Sequence, residues 1–427
     1  MRAINVEQVL RFFDPKEPLS GQSLRSWFMP RAGSPRTRLK IALIRQYDKP
    51  QKVLLIGHRG SGKTTELNKL AEEIQGHFHV IGFNVLDITG RTNLEYEDLM
   101  RAISTQVTRN CIEHQLMQSP LAQPLHRQWE ELRDWWQQVV SGVEFQPAAA
   151  EADVRLQVKA LLSQVEVSAR QSSLTREAIK EQINLQMPEL IQRLNWVIEQ
   201  AESHGKPRVL IVVEGLDKVD LQSALSIFRD HAPTITAPTC SMIYTFPIAL
   251  RHTDDYNSIH LSFPEVCFLP NITTQHSDHS TDPDGLSMMR KLVLARMEAA
   301  LIEDQALQLI VETNGGIPVW LVFLMRSAAL YALERDEHAT MITTADAQKA
   351  IKDLRQNLLT PLTRHDVQVL RERHHDRLLF SDPDEQRLMY NGSLIDYGNG
   401  ESWCDAHPAL WSVLEREDGN ANDTQPA

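Results

Sequence analysis

The sequence is poor in cysteine and has no long uninterrupted apolar stretch. Four cysteines occur in 427 residues, and no two of them form a C-x-x-C pair. This pattern disfavours a disulfide scaffold and a zinc ribbon, and it predicts reduced, buried thiols. No run approaches the ~18 apolar residues of a membrane-spanning helix, and the N-terminus lacks a signal-peptide core. These absences predict a cytoplasmic protein that has no membrane partner.

An excess of basic residues is also missing. The chain has 44 Lys and Arg against 56 Asp and Glu, a formal net charge of −12. This balance disfavours a protein that coats nucleic acid through bulk charge. The hydrophobic fraction of 42% and the aromatic fraction of 6% are those of a globular chain, and the length suggests two to three domains. Disorder, collagen and coiled coil are excluded as the global structure.

Charge is distributed unevenly along the chain. Residues 1–52 hold 11 Lys and Arg and 4 Asp and Glu, whereas residues 359–427 hold 6 and 13. The basic N-terminal segment is either a patch beside an anionic ligand or a solvated loop and helix start. The acidic C-terminal segment favours a protein-interaction or autoinhibitory role over DNA binding.

One motif carries the strongest chemical signal. The residues GHRGSGKTT match G-x-x-x-x-G-K-[ST], between an apolar strand that ends at Ile56 and a helical pattern from Thr64. Glycines let the backbone curl around phosphates. The loop amides and Lys63 would balance the charge of the phosphates, and the Thr64 hydroxyl is placed for Mg²⁺. The predicted nucleotide-binding residues are Gly57, His58, Arg59, Gly60, Ser61, Gly62, Lys63, Thr64 and Thr65.

A second motif follows a strongly apolar strand. The sequence VVEGLDK places Glu214 at the strand end and Asp217 beyond it. A carboxylate at the end of a buried strand can reach the shell of a bound Mg²⁺. We therefore predict that Thr64 and Glu214 form the metal side of the site and that Lys63, Glu214 and Asp217 take part in catalysis.

The remaining pattern predicts an α/β protein with several helical parts. Strands are expected at residues 52–56, 79–87, 208–213 and 241–246. Lys63 and Glu214 are 151 residues apart, so the Gln- and Glu-rich stretch at about 115–206 is predicted to be a helical insertion, broken near Pro188. The predicted division is a core at residues 1–284, a helical lid at 285–358, a winged-helix-like domain at 359–417 and a disordered tail at 418–427. Residues 394–397 and 401–403 are expected to form a hairpin.

Together, the P-loop, VVEGLDK and the strand end IYTFP resemble P-loop ATPases of the AAA+ and STAND type, including KAP-like bacterial NTPases, over about residues 20–355. The resemblance implies an α/β P-loop NTPase of the ASCE or AAA+-like type with a parallel αβα core. It also implies ATP and Mg²⁺ as cofactors, assembly into a homo-oligomer, and a sensor-1 role for Thr245. Gly215 stands where such enzymes place a catalytic Glu, which predicts slow hydrolysis with Asp217 orienting the water.

Three functional hypotheses remain open from the sequence. The first is a slowly hydrolysing, nucleotide-dependent switch that acts through oligomerisation or an unidentified protein partner, in bacterial defence or signalling. The second is a DNA-associated loader, initiator or transposition-type regulator, which the acidic charge disfavours. The third is a scaffold that binds nucleotide without turnover.

Overall fold

A five-stranded parallel sheet, in the order β2-β3-β4-β1-β5, forms the centre of the computed structural model. The structure describes residues 2–46, 48–116, 123–140, 153–203, 207–278, 280–398 and 403–415. The strands of this sheet are β1 (Lys52–Ile56), β2 (Phe78–Asn84), β3 (Arg208–Glu214), β4 (Ser241–Phe246) and β5 (Glu265–Phe268).

Both faces of the sheet are buried, which explains its apolar strands. Along β1, Leu54 and Ile56 join one large apolar cluster, whereas Val53 and Leu55 join a second cluster on the opposite face. Side chains alternate between the faces of a strand, so a parallel sheet covered by helices on both faces needs apolar residues throughout. The result is a three-layer αβα core.

Strand order determines where the two sequence motifs meet. β4 lies between β1 and β3, and all neighbouring strands run parallel. The carboxyl ends of β1 and β3 therefore lie at the same edge of the sheet, one strand apart, where α/β proteins bind ligands. This topology, with a phosphate-binding loop after β1, is the α/β P-loop NTPase fold that the sequence predicts.

The described residues contain twenty α-helices. Before and around the core they are α1 (Val6–Phe12), α2 (Gly21–Trp27), α3 (Arg36–Arg45), α4 (Lys63–Ile74), α5 (Val85–Thr89) and α6 (Tyr96–Glu113). In the stretch predicted to be an insertion they are α7 (Gln123–Val139), α8 (Val154–Gln171), α9 (Ser173–Leu185) and α10 (Met187–Glu202). Between β3 and β5 they are α11 (Leu221–Leu225), α12 (Ala232–Ile235) and α13 (Tyr256–Ser262).

The C-terminal third is mostly helical and ends in a small hairpin. The stretch predicted to be the lid contains α14 (Pro283–Leu294), α15 (Asp304–Thr313), α16 (Pro318–Arg335) and α17 (Thr344–Leu359). A C-terminal module follows, made of α18 (Arg364–Asp376), α19 (Pro383–Asn391), the antiparallel strands β6 (Leu394–Asp396) and β7 (Cys404–Ala406), and α20 (Trp411–Leu414). Helices followed by a hairpin agree with the winged-helix-like arrangement expected from the sequence. The exact domain boundaries stay a prediction, and the tail from residue 418 lies outside the described residues.

Some predicted elements differ from the structure. The strand predicted at residues 79–87 ends at Asn84, because the Asn84 side chain accepts a hydrogen bond from the amide of Leu86 (3.0 Å) and starts α5. The second hairpin strand is Cys404–Ala406, not 401–403. The break near Pro188 is confirmed, since α10 begins at Met187 with this proline in its first turn.

The absences noted in the sequence have structural counterparts. All four cysteines, Cys111, Cys240, Cys267 and Cys404, are buried, and none of them forms a disulfide within the described residues. Among the described residues, no helix is both long and apolar enough to span a bilayer.

Candidate functional site

The loop between β1 and α4 has the backbone geometry of a phosphate-binding loop. Gly60 and Gly62 adopt left-handed conformations, with φ of +78° and +94°. A Cβ at Gly60 would lie 1.9 Å from the side chain of Val319, so this position has no room for another residue. α4 begins directly after Gly62, at Lys63, so its N-terminal amides open onto the loop. Free amides and the helix dipole make such a terminus suited to an anion.

Lys63 lies buried inside the loop. Its Nζ donates to the carbonyl oxygens of Gly57 (2.7 Å) and His58 (2.8 Å) and pairs with Asp217 Oδ2 at 2.8 Å. Burial lowers the pKa of Lys63, and the charge of Asp217 opposes that effect. Burial alone would raise the pKa of Asp217, but the nearby ammonium group brings it below its ordinary value. Lys63 and Asp217 therefore form a buried ion pair at the phosphate end of the loop.

Glu214 and Thr64 are brought together although 150 positions separate them in the chain. The Thr64 hydroxyl donates a hydrogen bond to Glu214 Oε2. Burial raises the pKa of Glu214, and the hydrogen bond from Thr64 works against this rise. A hydroxyl and a carboxylate side by side at a sheet edge are the oxygen ligands that Mg²⁺ prefers. The residues that the sequence assigns to the metal side thus have the right chemistry and lie in contact.

Asp217 and Thr245 are adjacent at the same edge. Asp217 lies in a short turn, Leu216–Lys218, and is 5% exposed. Thr245 pairs in register with Leu55 near the end of β4 and is 1% exposed. Its hydroxyl contributes to the lowered pKa of Asp217. Thr245, predicted to take the sensor-1 role, therefore lies between the loop strand and the acidic turn.

Asn84 is a polar site residue that the sequence analysis missed. It ends β2 in register with Glu214, and its Oδ1 would lie 2.2 Å from a Cβ at Gly215. Gly215 also has φ of +89°, so neither space nor backbone allows a side chain there. The sequence signal for Asn84 was a polar residue at the end of an apolar strand. It was overlooked because the strand was predicted to continue to residue 87. A catalytic glutamate at position 215 is therefore incompatible with this packing.

An apolar pocket adjoins the C-terminal end of the phosphate-binding loop. It lies between the N-terminal segment, α14 and α16, next to Gly62 and Thr65. Its apolar lining consists of Phe13, Leu19, Trp27, Phe28, Met29, Ile272, Met288, Leu292, Pro318, Leu321 and Val322. An apolar pocket with a few polar groups is the usual setting for a small ligand.

Arg31 joins this pocket to the loop. Its Nη2 donates to the carbonyl of Ser61 (2.6 Å), and its Nε lies 3.7 Å from Glu66. Its Nη1 is buried without a hydrogen-bond partner among the described residues. Burial lowers the pKa of Arg31 to about 10, and Glu66 opposes this effect. Arg31 can therefore still donate to a ligand beside the loop.

Four other basic side chains of the N-terminal segment form ion pairs. Arg36 pairs with Glu66 and Glu73, Lys40 with Glu73, Arg25 with Glu72 and Arg38 with Glu265. Three of these acids belong to α4. Arg25, Arg36 and Lys40 thus attach the segment to the P-loop helix.

Three arginines of the predicted lid are engaged away from the loop. Arg326 donates to the carbonyl of Leu10, and Arg290 pairs with Asp304. Arg296 donates to the carbonyl of Phe12 (3.2 Å) at the pocket wall. The structure therefore places none of these three guanidinium groups at Lys63 or Glu214.

The first half of the loop contacts the C-terminal module, which the sequence did not predict. His58 Nε2 accepts from the amide of Asp396 (2.8 Å), and burial lowers the pKa of His58 to about 4. The Arg59 guanidinium lies 3.7 Å from the ring centre of Tyr390. The amide of Val319, in the first turn of α16, donates to the carbonyl of Gly60 (3.2 Å).

Two histidines of the C-terminal module have polar partners. His407 caps a turn by accepting from the amide of Ala409 (3.2 Å). His374, on α18, is largely buried and binds Asp405 of β7 at 2.7 Å. No cluster of His, Cys, Asp and Glu that could hold a metal by itself occurs in the described part of the chain.

Comparisons with solved structures found similar folds at low identity. A Walker-type ATPase of Pyrococcus abyssi is 15% identical, with 95% of this chain and 100% of that chain covered and a TM-score of 0.46. The Orc1 protein of Aeropyrum pernix, solved in complex with DNA, is 12% identical over 92% and 94%, with a TM-score of 0.41. Cdc6p from Pyrobaculum aerophilum is 13% identical over 96% and 98%, with a TM-score of 0.39. No family model and no curated protein matched the sequence.

Proposed function

We propose that this chain binds ATP with Mg²⁺, hydrolyses it slowly and acts as a nucleotide-dependent molecular switch. The observation that carries the proposal is the convergence of a glycine loop, a buried lysine and two acids at one sheet edge. Lys63 contacts Asp217, and Thr64 contacts Glu214, although the acids follow a different strand. Such a combination serves phosphoryl chemistry, where positioning and charge stabilisation supply most of the catalysis.

Different residues of the site would bind the phosphates and the metal ion. The amides at the start of α4 and the ammonium of Lys63 would hold the phosphates, while Thr64 and Glu214 offer oxygen ligands to the metal. Bound Mg²⁺ would neutralise charge on the phosphate oxygens. The apolar pocket suits a purine base, and the sequence shows no guanine-specificity motif after β4, which favours ATP.

The residues of the acidic turn explain why we propose slow turnover. Gly215 has no room for a glutamate, so Asp217 is the remaining acid near the loop that can orient a water molecule. Its carboxylate already pairs with Lys63, and the Thr245 hydroxyl lies beside it. An acid engaged in a buried ion pair is a weak general base, because its pKa is lowered.

The switch role is supported by contacts that join the loop to two parts of the chain outside the core. Val319 connects the loop to α16, and Asp396 connects it to the C-terminal module. A change in the loop on binding phosphate would therefore alter the docking of both parts. We propose homo-oligomerisation or an unidentified cytoplasmic protein partner as the output. A place among STAND- or KAP-like NTPases in bacterial defence or signalling is the most specific form of this proposal.

A DNA-associated loader or initiator is the alternative, and the winged-helix-like module is the feature that favours it. Against it stand the net charge of −12 and the acidic C-terminal segment. A gel shift with duplex DNA, with and without ATP, separates the two: tight, salt-sensitive binding would support the loader.

Calorimetry and phosphate release test the main proposal. Wild-type protein should bind ATP with Mg²⁺, and Glu214→Gln should retain binding but lose turnover by on the order of 100-fold, because the metal-side charge is lost while the shape remains. Glu312→Gln, an exposed glutamate on α15, is the matched control and should behave as wild type.

Three results would contradict the proposal or a part of it. Absence of nucleotide binding by wild-type protein would remove it entirely. Unchanged turnover in Glu214→Gln would remove the metal-side assignment, and background turnover in wild type would leave only a nucleotide-binding scaffold.

A further inference from the structure

Arg59 is a loop residue with an unusual environment. It is the third residue of the P-loop, and its Nε donates to the backbone carbonyl of Asp217 (3.3 Å). Its Nη2 is buried and has no hydrogen-bond partner within the described residues. A buried cationic donor without a partner is costly, and in a binding site it indicates a place for an acceptor.

The position of Arg59 specifies which acceptor fits. The Asp217 carboxylate binds Lys63, and the Asp217 backbone carbonyl binds Arg59, so ammonium and guanidinium groups flank one residue. The lysine of this motif reaches the β- and γ-phosphates. Arg31, by contrast, lies at the other end of the loop beside Gly62. Arg59 therefore belongs to the terminal-phosphate end.

The C-terminal module holds Arg59 in this place. The ring of Tyr390, on α19, stacks on the guanidinium at 3.7 Å. The Tyr390 hydroxyl donates to the carbonyls of Val219 (2.9 Å) and Lys218 (3.2 Å), directly after the acidic turn. The ring thus packs against one face of the guanidinium and leaves its in-plane donors available. Tyr390 fixes the direction of the side chain without satisfying its spare N–H.

We propose that Arg59 donates to the terminal phosphate of bound nucleoside triphosphate, with Tyr390 as its positioning residue. The inference rests on the proposed nucleotide function and specifies how the C-terminal module senses the terminal phosphate. Loss of that phosphate removes an acceptor of Arg59 and leaves the Tyr390 ring and the Asp217 carbonyl as the contacts that hold its guanidinium. The rival explanation is that the Arg59–Tyr390 stack only docks the module.

Separate affinities for ATP and ADP distinguish these explanations. Wild type should prefer ATP over ADP, and Arg59→Ala should reduce that preference by about tenfold or more, because a charge-assisted hydrogen bond is lost. The affinity for ADP should change by less than about threefold, since ADP lacks the terminal phosphate. Arg59→Lys should keep part of the preference, because it retains charge but not the planar fork.

Variants of Tyr390 test the positioning role. Tyr390→Leu removes the ring and should lower the preference for ATP in the same direction but by less. Tyr390→Phe keeps the ring and should stay close to wild type. Melting temperatures without nucleotide monitor docking, so a purely structural role would lower them without changing the ratio of affinities.

Each outcome has a defined meaning. Equal losses for ATP and ADP, an unchanged ratio in Arg59→Ala, or no preference in wild type would overturn the inference. Failure of wild type to bind any nucleotide would instead overturn the proposed function. If Arg59→Ala does not fold, Arg59→Lys and Tyr390→Leu still report on the ratio.

Discussion

The two halves of the P-loop are held by different parts of the molecule. The second half, from Gly62 to Thr65, contacts acids of the core: Lys63 pairs with Asp217, and Thr64 with Glu214. The first half contacts elements that follow the core in the chain, through Asp396, Tyr390 and Val319. The two halves of the loop therefore differ in their main contacts, and substitutions in each half test those contacts separately.

The largest expected effect lies in the second half. Lys63→Met leaves Asp217 buried without its cation, which should lower the free energy of unfolding by about 3–5 kcal/mol. Nucleotide affinity should fall by on the order of 100-fold, because a charged phosphate ligand is lost. Urea denaturation and calorimetry measure the two effects.

The double variant separates stability from binding. Lys63→Met with Asp217→Asn removes both charges, so most of the lost stability should return while binding stays weak. A double variant as unstable as the single one would show that the unpaired Asp217 charge is not the cause.

The buried His58, in the first half of the P-loop, predicts that the stability of the protein depends on pH. Burial lowers the pKa of His58 from 6.5 to about 4; Lys63 and His252 add to this effect, and Asp396 opposes it. The unfolded chain therefore binds more protons than the folded protein between these values. The free energy of unfolding should fall as pH drops from about 6.5 to about 4, by up to about 3 kcal/mol from this group.

His58→Gln is the informative variant for this effect. Glutamine can still accept from the amide of Asp396 but does not titrate, so the slope between pH 6.5 and 4 should flatten. It should not vanish, because burial also lowers the pKa of His407, to about 3. His126→Gln, at an exposed helix position, should keep the wild-type slope, and an unchanged slope in His58→Gln would contradict the assignment.

The difference between the two halves of the P-loop also explains which contacts the sequence could predict. The loop, Glu214 and Asp217 were accessible because local spacing and an apolar strand determine them. Asp396 is 338 positions away from His58, and no local pattern reports such a contact. Strand β5 was missed because its four residues, EVCF, are too short for a clear alternation.

The smallest expected effect concerns the glycine of the acidic turn. Gly215→Ala would place a Cβ 2.2 Å from Asn84 Oδ1 at a backbone φ of +89°, so either Asn84 or the turn must move. We expect a loss of about 1–3 kcal/mol in the free energy of unfolding. Gly76→Ala, at a site with no atom within 4 Å of the added Cβ, should be close to neutral in the same urea titration. If both variants behaved alike, the space at Gly215 would be open, and the structural reason for the missing glutamate would be lost. A selective loss in Gly215→Ala would instead show that the packing of β2 against β3 leaves no room for a side chain at position 215, independently of the contacts of the first half of the loop.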